Sequence, residues 1–401
     1  MTEITPFRIE VPGADLADLR ERLRRTRWPE AETVDDWSQG VPLAYLQDLC
    51  RHWAEAYDWR TCEARLNRLD HFRTTIDGLP IHFVHVRSPH PNALPLVLTH
   101  GWPGSILEFE AAVGPLTDPP AYGGSAADAF HLVLPSLPGF GFSGKPTAPG
   151  WGIARIADAW AELMTRLGYP RFGASGGDWG SSVSTCLGQQ HPKRVVGLHL
   201  TPPLAAPDPA TFADLTPAEH ASLEALRHAD RSEDGYSAEQ STKPQTIGYS
   251  LVDSPAGLAA WIVEKFRTWS DCTSVVGGPR RSSPSPDHEG LPEQALDRDR
   301  MLDDITLYWL TGTGASAARL YWESIREVQE IFTSGTGDSV AVPTGGSIFA
   351  HENPRPSRRW AARRFVDIRY WNELDRGGHF AAWEQPDLFV GEVRAFFGLV
   401  R

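Results

Sequence analysis

The chain has 401 residues, 41% of them hydrophobic and 10% aromatic, enough for a large core built as one catalytic domain with additions. A net charge of −13 argues against nucleic acid or an anionic membrane surface as the main partner. Cys50, Cys62, Cys186 and Cys272 form no C-x-x-C pair and suit a reducing compartment better than a disulfide framework or a zinc site. With no basic-then-apolar leader and no apolar run long enough to span a bilayer, the expectation is a soluble cytoplasmic protein.

In chain order, the stretch 7–28 begins with Val11-Pro12-Gly13-Ala14-Asp15, and an amphipathic helix follows with Leu16, Leu19 and Leu23 on one face and a solvated arginine face opposite. A second helix over 41–59 turns Tyr45, Leu49, Trp53 and Tyr57 inward. This helical opening carries no catalytic constellation. Residues 72–86 read as a hairpin around Asp77-Gly78, and His82 and His85, three apart in its second strand, point to opposite faces and share no metal. The apolar run 94–99 suits a strand buried on both faces of a parallel sheet. It leads into His100-Gly101-Trp102-Pro103-Gly104-Ser105, a sharp turn whose Trp102 N–H is a candidate oxyanion donor. A strand over 130–135 and a helix over 151–167 follow.

Residues 169–172 read as a short buried strand and 182–190 as a helix, joined by small residues with Asp178 at the tip. Gly176-Gly177-Asp178-Trp179-Gly180 has the form of a nucleophile elbow with aspartate where serine hydrolases place serine. A helix N-terminus favours an ionised carboxylate there. A carboxylate is too good a leaving group for acyl transfer but can attack saturated carbon, leaving an ester that water cleaves. The substrate is therefore expected to carry a leaving group on sp³ carbon, either an epoxide oxygen or a halide. The N–H of Trp179 is the second candidate oxyanion donor.

A strand over 195–200 completes a strand–helix alternation that argues for a predominantly parallel sheet. From 201 to 340 helices follow without strands (219–228, 258–269, 302–311 and 317–331), read as an inserted lid. Loops at 277–290, carrying Arg280 and Arg281, and at 334–338 interrupt it, the longer being the candidate entrance element. Strands resume at 341–343, 347–349 and 366–371. His379 then follows two glycines, in the order nucleophile, acid, histidine expected of a hydrolytic triad.

These motifs resemble epoxide hydrolases of the α/β-hydrolase fold, on the microsomal-type branch that also holds the juvenile-hormone enzymes. The resemblance runs from Arg27-Trp28-Pro29 through His100–Ser105, Ser136–Ser143 and Gly177–Gly180 to Ser241–Pro244, Val342–Gly345 and Arg376–Ala382. It implies an α/β-hydrolase fold with an N-terminal extension (1–92), core segments (93–200 and 341–401) and a helical lid (201–340). It further implies that lid tyrosines Tyr236 and Tyr321 protonate the epoxide oxygen, and that Glu352 orients His379, with Asp367 and Asp375 as alternatives. His100, Gly101 and Pro103 are expected to contact substrate. The implied reaction yields a vicinal diol from an epoxide without metal or organic cofactor; the Trp and Phe content suggests a bulky or aromatic epoxide, and a homodimer is a further expectation. Two rivals stay open: a haloalkane or haloacid dehalogenase using Trp102, Trp179 and Trp261 for halide, and a catalytically inactive binding protein of the same fold. Unlike the microsomal relatives, the chain is expected to carry no N-terminal membrane anchor, and the anchored relatives' substrate is not carried over.

Overall fold

The computed structural model describes residues 3–272, 290–334 and 339–401. Among these, the strands β1 (Thr5–Phe7), β2 (His71–Ile76), β3 (Leu79–Val86), β4 (Leu94–Thr99), β5 (Phe130–Pro135), β6 (Phe172–Gly177), β7 (Val195–Thr201), β8 (Thr344–Ile348) and β9 (Ile368–Glu373) form one sheet. Their order is β1-β2-β3-β5-β4-β6-β7-β8-β9. The pairs β1–β2, β2–β3 and β3–β5 are antiparallel, and every pair from β5 to β9 is parallel.

Strands β4 and β6 lie at the centre, which explains their composition. Along β4, Val97 packs into the core cluster on one face while Leu96 and Leu98 enter the cluster on the other. Strand β6 is built of small residues because other chains press on it; a methyl group at Gly173 would meet the Phe397 ring. Crossover helices Ile153–Arg166 and Trp179–Gln190 flank it. Helix Gly13–Arg24 buries Leu16, Leu19 and Leu23 as its pattern requires, each worth about 1.5–3 kcal/mol.

Several sequence expectations change in detail. The strand expected over 169–172 starts at Phe172 and continues through the glycines to Gly177. Small residues carry little strand signal, and only burial between β4 and β7 reveals it. The opening is not purely helical, since Thr5–Phe7 adds an edge strand beside β2. The helix expected over 41–59 is two, Leu43–Glu55 and Trp59–Leu66, divided where the Asp58 side chain caps the second by accepting from Arg60 N–H. Of the strands expected at 341–343 and 347–349, the first is not a strand and the second begins earlier, as Thr344–Ile348. Between β7 and β8 the helices are Pro217–Ser232, Gly235–Thr242, Pro244–Asp253, Pro255–Trp269, Arg298–Thr311 and Gly314–Ser334. The second and third have no apolar period strong enough to read in advance. Apart from Gly290 and Ser334, the two lid loops, Arg280 and Arg281 included, lie outside the described residues. Among the described residues no helix is long and apolar enough to cross a membrane.

Candidate active site

Asp178 stands between β6 and the helix Trp179–Gln190 with φ 51° and ψ −128°, a conformation that non-glycine residues adopt only under constraint. The glycines around it remove obstacles. A Cβ on Gly180 would enter the Thr99 carbonyl, and one on Gly101 would lie 2.6 Å from the Asp178 Cγ. That contact is possible because β4 and β6 are adjacent and parallel, so both turns emerge at the carboxyl edge of the sheet. Trp102 N–H donates to Asp178 Oδ1 at 2.8 Å, and the neighbouring Trp179 N–H favours the ionised carboxyl. Burial raises the Asp178 pKa; nearby His379 and the two amides oppose it.

His379 and Glu352 reach the same place from the loops after β9 and β8. His379 Nδ1–H donates to Glu352 Oε1 at 2.9 Å, and Nε2 lies 3.6 Å from Asp178 Oδ2. Burial alone would lower the imidazole pKa, but Glu352 and then Asp178 and Glu108 overcome it, lifting it to about 9. Asp367 instead pairs with Arg369 at 2.9 Å, and Asp375 is exposed to solvent. Of the three candidate acids, the structure brings Glu352 alone to the histidine.

Tyr236 and Tyr321, from helices Gly235–Thr242 and Gly314–Ser334, line the same cavity as Asp178, Trp179, Glu352 and His379. Its volume is about 270 Å³, with Leu204, Leu226, Ile325, Val328 and Phe332 as apolar wall. Tyr236 stacks on Trp102 with ring centroids 5.2 Å apart, and Tyr321 meets Trp179 edge-on at 4.8 Å. Burial first, then charge from neighbours including Asp178, raises both phenol pKa values, so both keep their protons at neutral pH.

His100, Gly101 and Pro103 do not line this cavity. His100 Nδ1–H donates to the Gly101 carbonyl and Nε2 accepts from Leu137 N–H, leaving no ring nitrogen for a ligand. Burial pushes its pKa to about 4, so it braces the turn as a neutral ring. Gly101 acts by giving Asp178 room, and Pro103 is buried within the turn. Trp261 commits its indole N–H to Gln240 at 3.0 Å, so that donor is not available to a halide.

Three residues at the site escaped sequence reasoning. Trp269 packs on the His379 ring at 4.8 Å, and its carbonyl accepts from His379 N–H. Glu384 accepts from the backbone N–H groups of Asp271, Gly378 and Phe380. Asp271 accepts from Gly377 N–H and pairs with His351. Trp269 and Asp271 are more than a hundred residues from His379, and nothing in the local pattern links them.

A family profile described as Epoxide hydrolase N terminus matches residues 4–109, and one described as alpha/beta hydrolase fold matches residues 95–385. A Stigmatella aurantiaca protein provisionally named as an epoxide hydrolase is 52% identical over 99% of this chain and 86% of its own length. The chain belongs to the epoxide hydrolase family. Epoxide hydrolase 1 of Sus scrofa is 34% identical over 99% of this chain and 89% of its own. The crystal structure of juvenile hormone epoxide hydrolase from the silkworm Bombyx mori superposes with a TM-score of 0.81 at 30% identity, covering 100% of this chain and 95% of that one.

Proposed function

We propose that the protein hydrolyses an epoxide to a vicinal diol through an ester on Asp178. The observation that carries this reading is the placement of one Asp178 oxygen on the Trp102 amide while the other faces His379. Oδ1, already held by the amide, becomes the ester carbonyl oxygen, so Oδ2 is the attacking atom. As the Oδ2–carbon bond forms, the epoxide C–O bond breaks, and its oxygen takes a proton from Tyr236 or Tyr321. A carboxylate cannot open an unactivated epoxide readily, because the departing alkoxide is a strong base. Phenols that stay protonated solve this without competing as nucleophiles.

The charge relations then divide the labour of His379. With a pKa of about 9 it begins as an imidazolium beside two carboxylates. Ester formation removes the Asp178 charge and with it part of that support, so the imidazolium gives its proton to the phenolate. Neutral His379, held by Glu352, then takes a proton from water attacking the Asp178 Cγ. The Trp102 and Trp179 amides hold the tetrahedral oxyanion, and its collapse releases the diol and restores the carboxylate. The residues require no metal or organic cofactor for these steps.

A cavity of about 270 Å³ supports an apolar epoxide with one aromatic ring or a short alkyl chain as the substrate to try first, since a dry cavity of ~150 Å³ holds benzene. The test is intact-protein mass spectrometry of His379→Gln mixed with monosubstituted epoxides and, separately, haloalkanes. The expected result is a mass gain equal to a whole epoxide, absent from the Asp178→Asn/His379→Gln double variant. An alkyl gain from haloalkanes alone would make the protein a dehalogenase; bound epoxide without adduct would make it a binding protein.

A further inference from the structure

Lysines are almost never fully buried unless paired, and Lys265, on the lid helix Pro255–Trp269, is 2% exposed. Its ammonium lies 2.7 Å from a carboxylate oxygen of Glu264 and 3.7 Å from one of Glu233, and it donates to the Glu233 carbonyl at 3.1 Å. Both carboxylates stay partly in solvent, so the cation is the buried member of the group. A pair of this kind adds little stability over an apolar replacement of the same size. The cation faces the aromatic groups of the active site instead. Its Nζ stands 4.5 Å from the centroid of the Tyr236 ring and 5.5 Å from that of Trp269, within the range in which an aromatic face attracts a cation.

The two lid tyrosines are therefore not equivalent. Tyr236 has the Lys265 ammonium over its ring and the Trp102 indole stacked on it at 5.2 Å. Tyr321 meets Trp102 and Trp179 edge-on, and among the described residues no cation lies over its ring. Asp178, Asp234 and Glu264 all set negative charge near Tyr236, and Lys265 is the cation that answers them. The phenols also act on each other unequally. Beyond burial, which raises both pKa values, Tyr236 disfavours ionisation of Tyr321, whereas Tyr321 favours that of Tyr236 against the Asp178 charge. Lys265 fixes the place of Tyr236 as well. The Glu233 carbonyl it holds lies three residues before that tyrosine, at the break between Pro217–Ser232 and Gly235–Thr242.

We propose that Lys265 makes Tyr236 the proton donor of the first half-reaction by meeting the charge that develops in its ring, an inference that rests on the ester mechanism above. As the Oδ2–carbon bond forms, the epoxide C–O bond breaks and its electron pair goes to the epoxide oxygen, which takes the Tyr236 proton. The Tyr236 ring passes from neutral to anionic beside a fixed cation. An attraction that grows along the reaction in this way lowers the barrier and not only the energy of the bound state. Tyr321 keeps its proton and steadies the same oxygen by a hydrogen bond. His379 later returns a proton to Tyr236. Lys265 acts through Tyr236 and is a positioning residue.

Alkylation rates in the His379→Gln background, read by rapid-quench mass spectrometry with a monosubstituted aromatic epoxide, isolate this step. Lys265→Met should slow alkylation about 10- to 30-fold. Lys265→Arg, which keeps a charge over the ring, should recover part of the loss. With His379 present, Lys265→Met should hydrolyse the ester within about 3-fold of the wild-type rate, which also shows that it folds. Lys265→Met should cost nothing further in Tyr236→Phe but show its full effect in Tyr321→Phe. Should the lone Glu264 carboxylate unfold Lys265→Met, Lys265→Met/Glu264→Gln takes its place in the same comparison. Wild-type alkylation in Lys265→Met, the same slowing in both tyrosine variants, or equal loss of both half-reactions would overturn the assignment. Ester on His379→Gln with no effect of Lys265 removes this inference alone. No ester at all removes the mechanism with it.

Discussion

Glu384 is the perturbation that most directly tests how the base is held. Its carboxyl accepts from Asp271 N–H at 2.8 Å, Gly378 N–H at 2.9 Å and Phe380 N–H at 3.0 Å, gripping the peptide on both sides of His379. Burial, opposed by those N–H groups, pushes its pKa up to about 8. At pH 7 it is therefore largely protonated, and the strength of neutral hydrogen bonds applies. Glu384→Ala leaves three amides without an acceptor, at about 1–2 kcal/mol each and about 3–6 kcal/mol together. Over 401 residues, at ~2.1 cal/mol/K per residue, that is a fall in Tm of about 4–7 °C. Differential scanning calorimetry would measure it, and rapid-quench mass spectrometry would follow the ester. With the loop loosened, ester hydrolysis should slow more than alkylation, because only the former needs His379 aligned with a water. A Tm within 1 °C of wild type together with normal ester hydrolysis would refute the reasoning.

Tyr236→Phe and Tyr321→Phe should each slow alkylation about 10²-fold or less, the survivor compensating, while the double variant falls further; hydrolysis of preformed ester should be unchanged in all three. Glu352→Gln should slow ester hydrolysis, whereas Asp367→Asn and Asp375→Asn should leave turnover at wild-type level; loss of turnover in either would reassign the acid. Because the folded-state pKa of His379 is raised from 6.5 to about 9, its stabilisation is complete below pH 6.5 and lost as pH rises through about 9. The Tm difference between wild type and His379→Gln should therefore shrink from pH 6.5 to 9.5, and a constant difference would contradict the ion-pair account. Gly101→Ala should abolish alkylation by placing a methyl group against the Asp178 carboxylate, which the mass assay would register as no adduct.

What could be read in advance is what depends on local pattern. The apolar runs of β4 and β5 were legible to the residue, because strands buried on both faces need no partner information to announce themselves. The aspartate at the elbow points by its own chemistry to the attack on saturated carbon proposed above, and the glycines beside it disclose a strained turn. The resemblance added Tyr236, Tyr321 and Glu352 as expectations, and the fold brings all three to Asp178 and His379.

Only the tertiary structure could choose among Glu352, Asp367 and Asp375, since the choice depends on which loop returns to His379, and all three lie within thirty residues of it. It also turned His100 from an expected substrate contact into a brace, because both ring nitrogens are used within the turn. The carboxyl of Glu384 left no sequence signal. It matters through the backbone N–H groups of Asp271, Gly378 and Phe380 brought beside it, and burial, unlike residue type, is a property of the folded chain alone.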